Sequence, residues 1–262
     1  MKQTQQPQKG TETWKQLEEI HRFGYSFTTI FSDFIDLCLF PLLSLTYNMQ
    51  FADVIERLQQ NQLAGTYEDE YMQLVKKYPE NNTKEKGKRP ADYFKNAWGM
   101  LLKETHEAQR DILGELFMVY ISHGEHGQFF TPQPISDMMA LIVNGEGRGE
   151  RKTVSDPAGG SGRFFISIAK HNKNLHYYGV DLSPICAKMT ALNMWLFNLT
   201  ADIYHGDSLS MKMHHVWKIR KGGYIYEAEI AEEQEPMPKP IKQQIQNKVK
   251  QQQLFDFDEV GK

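Results

Sequence analysis

Asp156-Pro157-Ala158-Gly159-Gly160-Ser161-Gly162 (DPAGGSG) lies between a short β-like run, Thr153-Val154-Ser155, and a helix-like one, Arg163 to Lys170 (RFFISIAK). A strand that ends in glycines and turns into a helix outlines a site for a nucleotide-like ligand. Glycine lets the backbone approach the ligand, and the helix start offers N–H groups without intrahelical partners. A glycine turn alone says little, since loops hold such runs by chance. Asp181, in YYGVDLS, strengthens it by ending the next apolar run. Doubly wound folds place a carboxylate there to accept a ribose hydroxyl pair. The dinucleotide fingerprint G-x-G-x-x-G/A is not met, because counting from Gly160 and Gly162 the third glycine position is Phe165. A dinucleotide is therefore the poorer ligand.

Around this stretch the pattern alternates. A helix over Pro134–Val143 precedes a strand at Thr153, a helix over Arg163–His171 and a strand over Tyr177–Val180. A helix over Pro184–Phe197 and a strand over Asp202–His205 follow, and Gly223–Ile230 (GYIYEAEI) alternates as a fourth strand would. Such alternation calls for an α/β fold with a parallel sheet and right-handed crossovers. From Trp14 to Ser122 the pattern is helical, with Leu17, Ile20, Phe27, Ile30, Phe31 and Phe34 at three-to-four spacing. Pro41 is expected to break or kink the second helix, and a further helix is expected near Phe51–Gln60. Tyr78–Pro90 reads as a loop. Ala91–Tyr120 reads as a further helical pattern whose core face includes Leu101, Leu102, Ile112, Leu113, Leu116 and Phe117. The expected organisation is a disordered N-terminus (1–12), a helical domain (13–122), an α/β domain (123–235) and a polar, flexible tail (236–262).

With 262 residues the chain can bury a sizeable core, and its net charge of −3 argues against a protein that is basic all over. Local basic patches remain compatible with that balance. Cys38 and Cys186 sit in apolar helical runs and read as buried thiols of a reducing cytoplasm. The N-terminal stretch has no apolar signal-peptide core, and Phe34–Leu45 is too short to span a membrane. The expected location is cytoplasmic.

DPAGGSG resembles the D-P-A-C-G-S-G motif of N6-adenine DNA methyltransferases, with Gly159 in the usual Cys position. Gly127-Gln128-Phe129-Phe130-Thr131-Pro132 (GQFFTP) resembles the segment that precedes it in the modification subunits of type I restriction systems. GVDLSP and Gly206-Asp207-Ser208 occupy the places of that family's next two motifs. The resemblance implies a partial Rossmann-like methyltransferase sheet, preceded by a helical N-terminal domain, with S-adenosylmethionine as cofactor. By position, Phe130 and Thr131 would pack on its methionine part, and Asp156 would hold its amino end. Ala158, Gly160 and Gly162 would form the turn around it, Asp181 would take the ribose hydroxyls and Asp207 the adenine amino group.

An enzyme that methylates an adenine amino group must draw the base from the duplex and hold it. The family does so with Asn/Asp-Pro-Pro-Tyr/Phe, whose oxygens accept from the amino group while the ring stacks on the base. These 262 residues contain no Pro-Pro pair and no Asn-Pro, and the one Asp-Pro is Asp156-Pro157. The resemblance thus covers the cofactor half, and the expectation is a cofactor-binding chain with no methyl transfer of its own. Two alternatives stand beside it: the cofactor-binding half of an enzyme completed by a partner chain, and a non-catalytic, DNA-associated regulatory protein. Lesser candidates are His123 and His126 as a metal pair, inadequate for zinc without further ligands, and Met211–Lys221 as a basic loop facing phosphates. Lys84–Arg89 reads as a solvated loop. Gln251–Phe255 resembles the Q-x-x-L-F peptides that bind bacterial sliding clamps, a further partner expectation.

Overall fold

The computed structural model describes residues 10–44, 67–121, 129–144, 153–228 and 230. The expected helix near Phe51–Gln60, His123 and His126, and the clamp-like Gln251–Phe255 lie outside the described residues. The chain divides into units 1–229 and 230–262, and the architecture is that of the first. Helices α1 (Glu12–His21), α2 (Phe27–Leu43), α3 (Glu68–Lys76), α4 (Glu80–Thr83), α5 (Pro90–Ala108), α6 (Ile112–Leu116) and α7 (Gln133–Asn144) come first. Then follow β1 (Thr153–Asp156), α8 (Arg163–Ala169), β2 (His176–Asp181), α9 (Pro184–Leu196), β3 (Thr200–Asp207), β4 (Lys212–Arg220) and β5 (Tyr224–Glu227).

Local chemistry sets the helix starts. Thr11 accepts from the Trp14 N–H at 3.1 Å, and Ser26 accepts from that of Thr29 at 3.1 Å, each meeting one donor that a first helical turn leaves without a carbonyl. Pro41 lies inside α2, which ends only at Leu43. The expected break is therefore no more than a stop two residues later. The helical stretch expected over Ala91–Tyr120 is helical in three pieces. α5 ends where Gln109 turns left-handed (φ 49°), α6 starts beyond Asp111, and a π-helical turn covers Phe117–Ile121. Tyr78–Pro90 contains α4 and is otherwise irregular.

The sheet runs β1-β2-β3-β4-β5 in sequence order, with β1, β2 and β3 parallel and β4 and β5 antiparallel. It is mixed rather than all parallel. Met211–Lys221, expected as a basic loop, supplies the nine residues of β4. Its four Lys/Arg hid a period-two pattern in which Trp217 and Ile219 are buried. The Gly223–Ile230 run does form a strand, β5, the fifth rather than the fourth.

Register divides the two faces of the sheet. Val154, Tyr177, Ala201, Ile203, Trp217, Ile219 and Ile225 fall on one face and are buried. The other face carries His176, Asp202 and Arg220, with Arg220 Nη1 2.7 Å from Asp202 Oδ1. On the apolar face, Phe165 of α8 lies against Tyr177, ring centroids 5.3 Å apart. α9 packs on β2, β3 and β4, and α2 packs on α9 and β5. The Lys188–Asp36 ion pair (2.6 Å) ties α9 to α2, so the N-terminal helices and the sheet share one core. Within those helices Asp33 is buried but satisfied, accepting from the Tyr78 hydroxyl at 2.8 Å and from Lys77 at 3.0 Å.

Phe165 is fully buried at the joint of α8 and the sheet. Phe165→Ala should lower unfolding free energy by about 3–5 kcal/mol, read as a lower urea midpoint at unchanged slope.

Candidate functional site

The DPAGGSG turn leaves β1 at its C-terminal end and enters α8 through Gly162. Gly160 and Gly162 have φ of +59° and +81°, where an L side chain is strained. A Cβ on Gly160 would touch the Phe130 ring at 3.0 Å, and one on Gly162 would press on Thr190 and Met194 at 3.1 and 3.2 Å. Gly159 differs. Its φ is not positive, and a Cβ there would meet Thr190 and the Val180 carbonyl at an ordinary 3.7 Å. Conformation demands glycine at 160 and 162 and permits a side chain at 159.

Side chains from several elements hold the turn. Asp181, at the end of β2, accepts from the Gly160 N–H through Oδ2 and from that of Ser183 through Oδ1, both at 2.8 Å. Thr190 of α9 donates its hydroxyl to the Gly160 carbonyl at 2.9 Å, and Asn193 donates to that of Ser161 at 2.7 Å. Asp156 accepts from the Ala158 N–H at 3.0 Å, bending the chain at its own carboxylate. Phe130 stacks on Phe117 with centroids 5.2 Å apart and stands over Gly160. Thr131 is exposed, and its carbonyl accepts from Arg163 at 3.0 Å.

Asp111 was not singled out from the sequence. It is fully buried. Its Oδ1 accepts from the Gly114 N–H and from Asn193, both at 2.8 Å, and its Oδ2 accepts from the Ser161 hydroxyl at 2.5 Å and Arg163 Nε at 3.0 Å. One carboxylate thus joins α6, the turn, α8 and α9. The signal available in the sequence was an Asp just ahead of a short apolar run, an N-cap pattern. Its long-range partners have no signature in one sequence.

Electrostatics single out the two strand-end carboxylates. Burial pushes the Asp156 carboxyl above the usual range; the Ala158 N–H opposes this and the charge of Asp181 adds to it. Burial likewise raises Asp181, against the N–H groups of Ser183 and Gly160 and the nearby His205. Asp207 behaves otherwise. Its carboxyl is lowered, first by the Ser210 hydroxyl at 2.8 Å and then by the N–H groups of Leu209 and Ser210. It stands two residues past His205, the register partner of Asp181, and its carboxylate accepts from Leu209 and Ser210 within the 207–210 turn. The structure thus brings Phe130, Asp156, Ala158, Gly160, Gly162 and Asp181 to one end of β1 and β2. Asp207 is placed at the neighbouring end of β3.

A cavity of about 350 Å³ lies elsewhere, between α2, α9 and β4, lined in part by Lys188, His205, His214, His215, Trp217 and Glu227. None of the expected cofactor residues lines it. Among the described residues no cluster of His, Cys, Asp or Glu is arranged to hold a metal ion, and no helix is long and apolar enough to cross a membrane.

The segment that contains Asp111, the glycine turn and all three strand-end carboxylates matches a known family. Residues 108–226 match the N-6 DNA methylase family. The matched segment starts three residues before Asp111 and runs into β5, so it includes the π-helical turn as well as the sheet. The chain resembles type I restriction-enzyme methylase subunits. It is 30% identical over 126 residues to the HindI methylase subunit of Haemophilus influenzae, across 42% of this chain and 27% of that one. It is also 38% identical over 61 residues to the release factor glutamine methyltransferase of Bacillus cereus, across 23% of this chain and 22% of that one. The methyltransferase subunit of a type I restriction-modification system from Streptococcus thermophilus superposes with a TM-score of 0.39 at 13% identity, over 86% of this chain and 60% of that one. The matched part therefore spans about a quarter of these curated relatives' length.

Two contrasting outcomes test the glycine turn. Asp111→Ala, which leaves Arg163 buried without its carboxylate, should cost about 3–5 kcal/mol. Gly159→Cys should leave stability within about 0.5 kcal/mol of the parent, whereas Gly162→Ala should cost more than 1 kcal/mol, roughly, from backbone strain. Guanidinium denaturation of the three variants measures each.

Proposed function

We propose that the turn and the two strand ends bind S-adenosylmethionine, and that the chain is the cofactor-binding half of a DNA adenine-N6 methyltransferase. The observation that carries the reading is the link between the two acids. The Asp181 carboxylate grips the Gly160 N–H while Asp156 bends the same loop one strand away. Each oxygen used in these contacts keeps a second lone-pair direction. Two desolvated acids and a side-chain-free backbone between them suit a ligand with an ammonium at one end and a vicinal diol at the other. Asp156 is the group for the ammonium and Asp181 for the diol. Phe130 and the positive-φ glycines supply a flat, close wall, and Asp207 is the candidate for the adenine amino group. S-adenosylmethionine, when bound, contributes an activated methyl group.

One similar protein is a glutamine methyltransferase rather than a DNA methylase, so support for the cofactor exceeds support for the substrate. Holding an adenine needs a planar acceptor and a stacking ring, and these 262 residues lack the Asn/Asp-Pro-Pro-Tyr/Phe that would supply both. We therefore assign cofactor binding to this chain and expect no methyl transfer by it alone.

Calorimetry with S-adenosylmethionine and with its demethylated product should show binding, and Asp181→Ala should weaken it at least tenfold, about 1.5–3 kcal/mol for bonds to a charged group. Binding of neither compound would end the assignment. Labelled methyl groups appearing on adenine with pure protein would refute the inactive half of the reading.

The raised acids give a signed pH effect. Their stabilising contribution is complete below the ordinary carboxyl pKa of about 4 and is lost as pH rises through the higher folded values. Asp156→Asn should therefore raise the melting temperature of the ligand-free protein at pH 7, with the gain shrinking towards pH 4, while weakening cofactor binding.

A further inference from the structure

The cavity between α2, α9 and β4 owes its polar wall to a break in the ladder. β3 and β4 pair His205 with His215, yet the next pair is Gly206 with Met213. His214 is left as the extra residue of a β-bulge. Bulges re-aim side chains, and this one gathers His205, His214 and His215 on the wall of the cavity. The His205 and His214 ring centroids are 5.3 Å apart. At about 350 Å³ the cavity is at the small end of ligand pockets, which run from about 300 to 1,000 Å³.

The charges around the rings narrow the occupant. Asp36 on α2 is paired with Lys188 on α9 at 2.6 Å, so the two add no net charge. Glu227 on β5 is engaged by His215 at 2.9 Å, by Trp217 Nε1 at 3.2 Å and by the Tyr67 hydroxyl. Asp181 on β2 feels the charge of His205, but it is held by the N–H groups of Gly160 and Ser183. His215 thus has its own carboxylate, while His205 and His214 face each other. Among the described residues no cluster is arranged for a metal ion.

Burial lowers the His205 pKa, and the charges of His214, His215 and Lys188 act the same way, against a hydrogen bond to the Leu182 backbone. Above pH 7 the ring is mainly neutral, with one nitrogen donating to Leu182 and the other an acceptor. A proton turns that acceptor into a donor. Two charged rings this close repel, so the pair takes up one proton more readily than two. One positive charge beside a second imidazole that can present an N–H matches a single carboxylate better than a dianion. Leu39, Phe40 and Leu43 of α2, with Pro184, supply an apolar wall. We propose that this cavity binds a small organic monocarboxylate, its charged end between His205 and His214 and its apolar body against α2. The site stands independently of the cofactor reading.

Benzoate is the probe, with benzylamine and benzyl alcohol as ring compounds of opposite and of no charge. Calorimetry on the whole chain should show binding of benzoate and of neither other compound. Titrations at about pH 7.5 in buffers of different ionisation heat should show about one proton taken up per benzoate, and affinity should fall about tenfold per pH unit above that. His214→Gln should weaken benzoate at least tenfold while leaving S-adenosylmethionine calorimetry unchanged. In His205→Gln, whose amide donates without a proton, the benzoate binding that remains should no longer depend on pH. No benzoate binding, equal binding of the amine or the alcohol, an affinity indifferent to pH in the parent, or parent-like behaviour of both variants (an adventitious additive only) would each overturn the proposal. Failure of the parent to bind S-adenosylmethionine would instead count against the functional reading alone.

Discussion

One buried carboxylate holds the molecule's parts in register. Asp111 lies at the end of the helical segment, with no exposed surface, and accepts from Gly114, Asn193, Ser161 and Arg163. A buried charge is tolerable only when its partners are in place. That condition couples α6, the glycine turn, α8 and α9: none can shift far without leaving the acid unmatched. The turn is thus fixed from behind by Asp111 and Asn193, from the side by Thr190 and from the strand ends by Asp181. A ligand would meet a backbone already shaped, which reduces the ordering cost of binding.

The same coupling bears on how the chain divides. The N-6 DNA methylase match opens at residue 108, inside the helical part, and so takes in Asp111, the π-helical turn and Phe117, which stacks on Phe130. The helices before them are joined to the matched segment as well, α2 to α9 through Lys188–Asp36, and the start of α3 to β5 through the Tyr67 hydroxyl that donates to Glu227. The sheet buries one face against α8 and α9, with α2 against β5. Its other face is built from His176, Asp202, Arg220 and a set of tyrosines.

Much of this was legible in the sequence, for identifiable reasons. β1, β2 and the glycine turn have short-range signatures: apolar runs ended by an acid, and glycines where φ is positive. The helices with three-to-four spacing were equally plain. β4 was missed because its lysines, histidines and arginine alternate on a half-exposed strand, and composition outweighed periodicity. The division of Ala91–Tyr120 was missed because helix-forming residues continue through the break, which is set by Gln109 in the left-handed region and by the tertiary demand on Asp111. Asp207 reached the expected end of β3, but its carboxylate is engaged by Ser210, a local turn chemistry that the Gly-Asp-Ser triplet does permit.

The glycine at position 159 has a consequence for sulfur chemistry. The chain has two cysteines, both described and both buried, and burial pushes the Cys186 thiol up to about 12 and that of Cys38 upward too. Thiolate is the form that peroxides and alkylating agents attack. A protein with Cys at position 159 would carry a sulfur beside its ligand, open to oxidation whenever the ligand leaves. With glycine there, the turn itself carries no thiol for oxidants to attack.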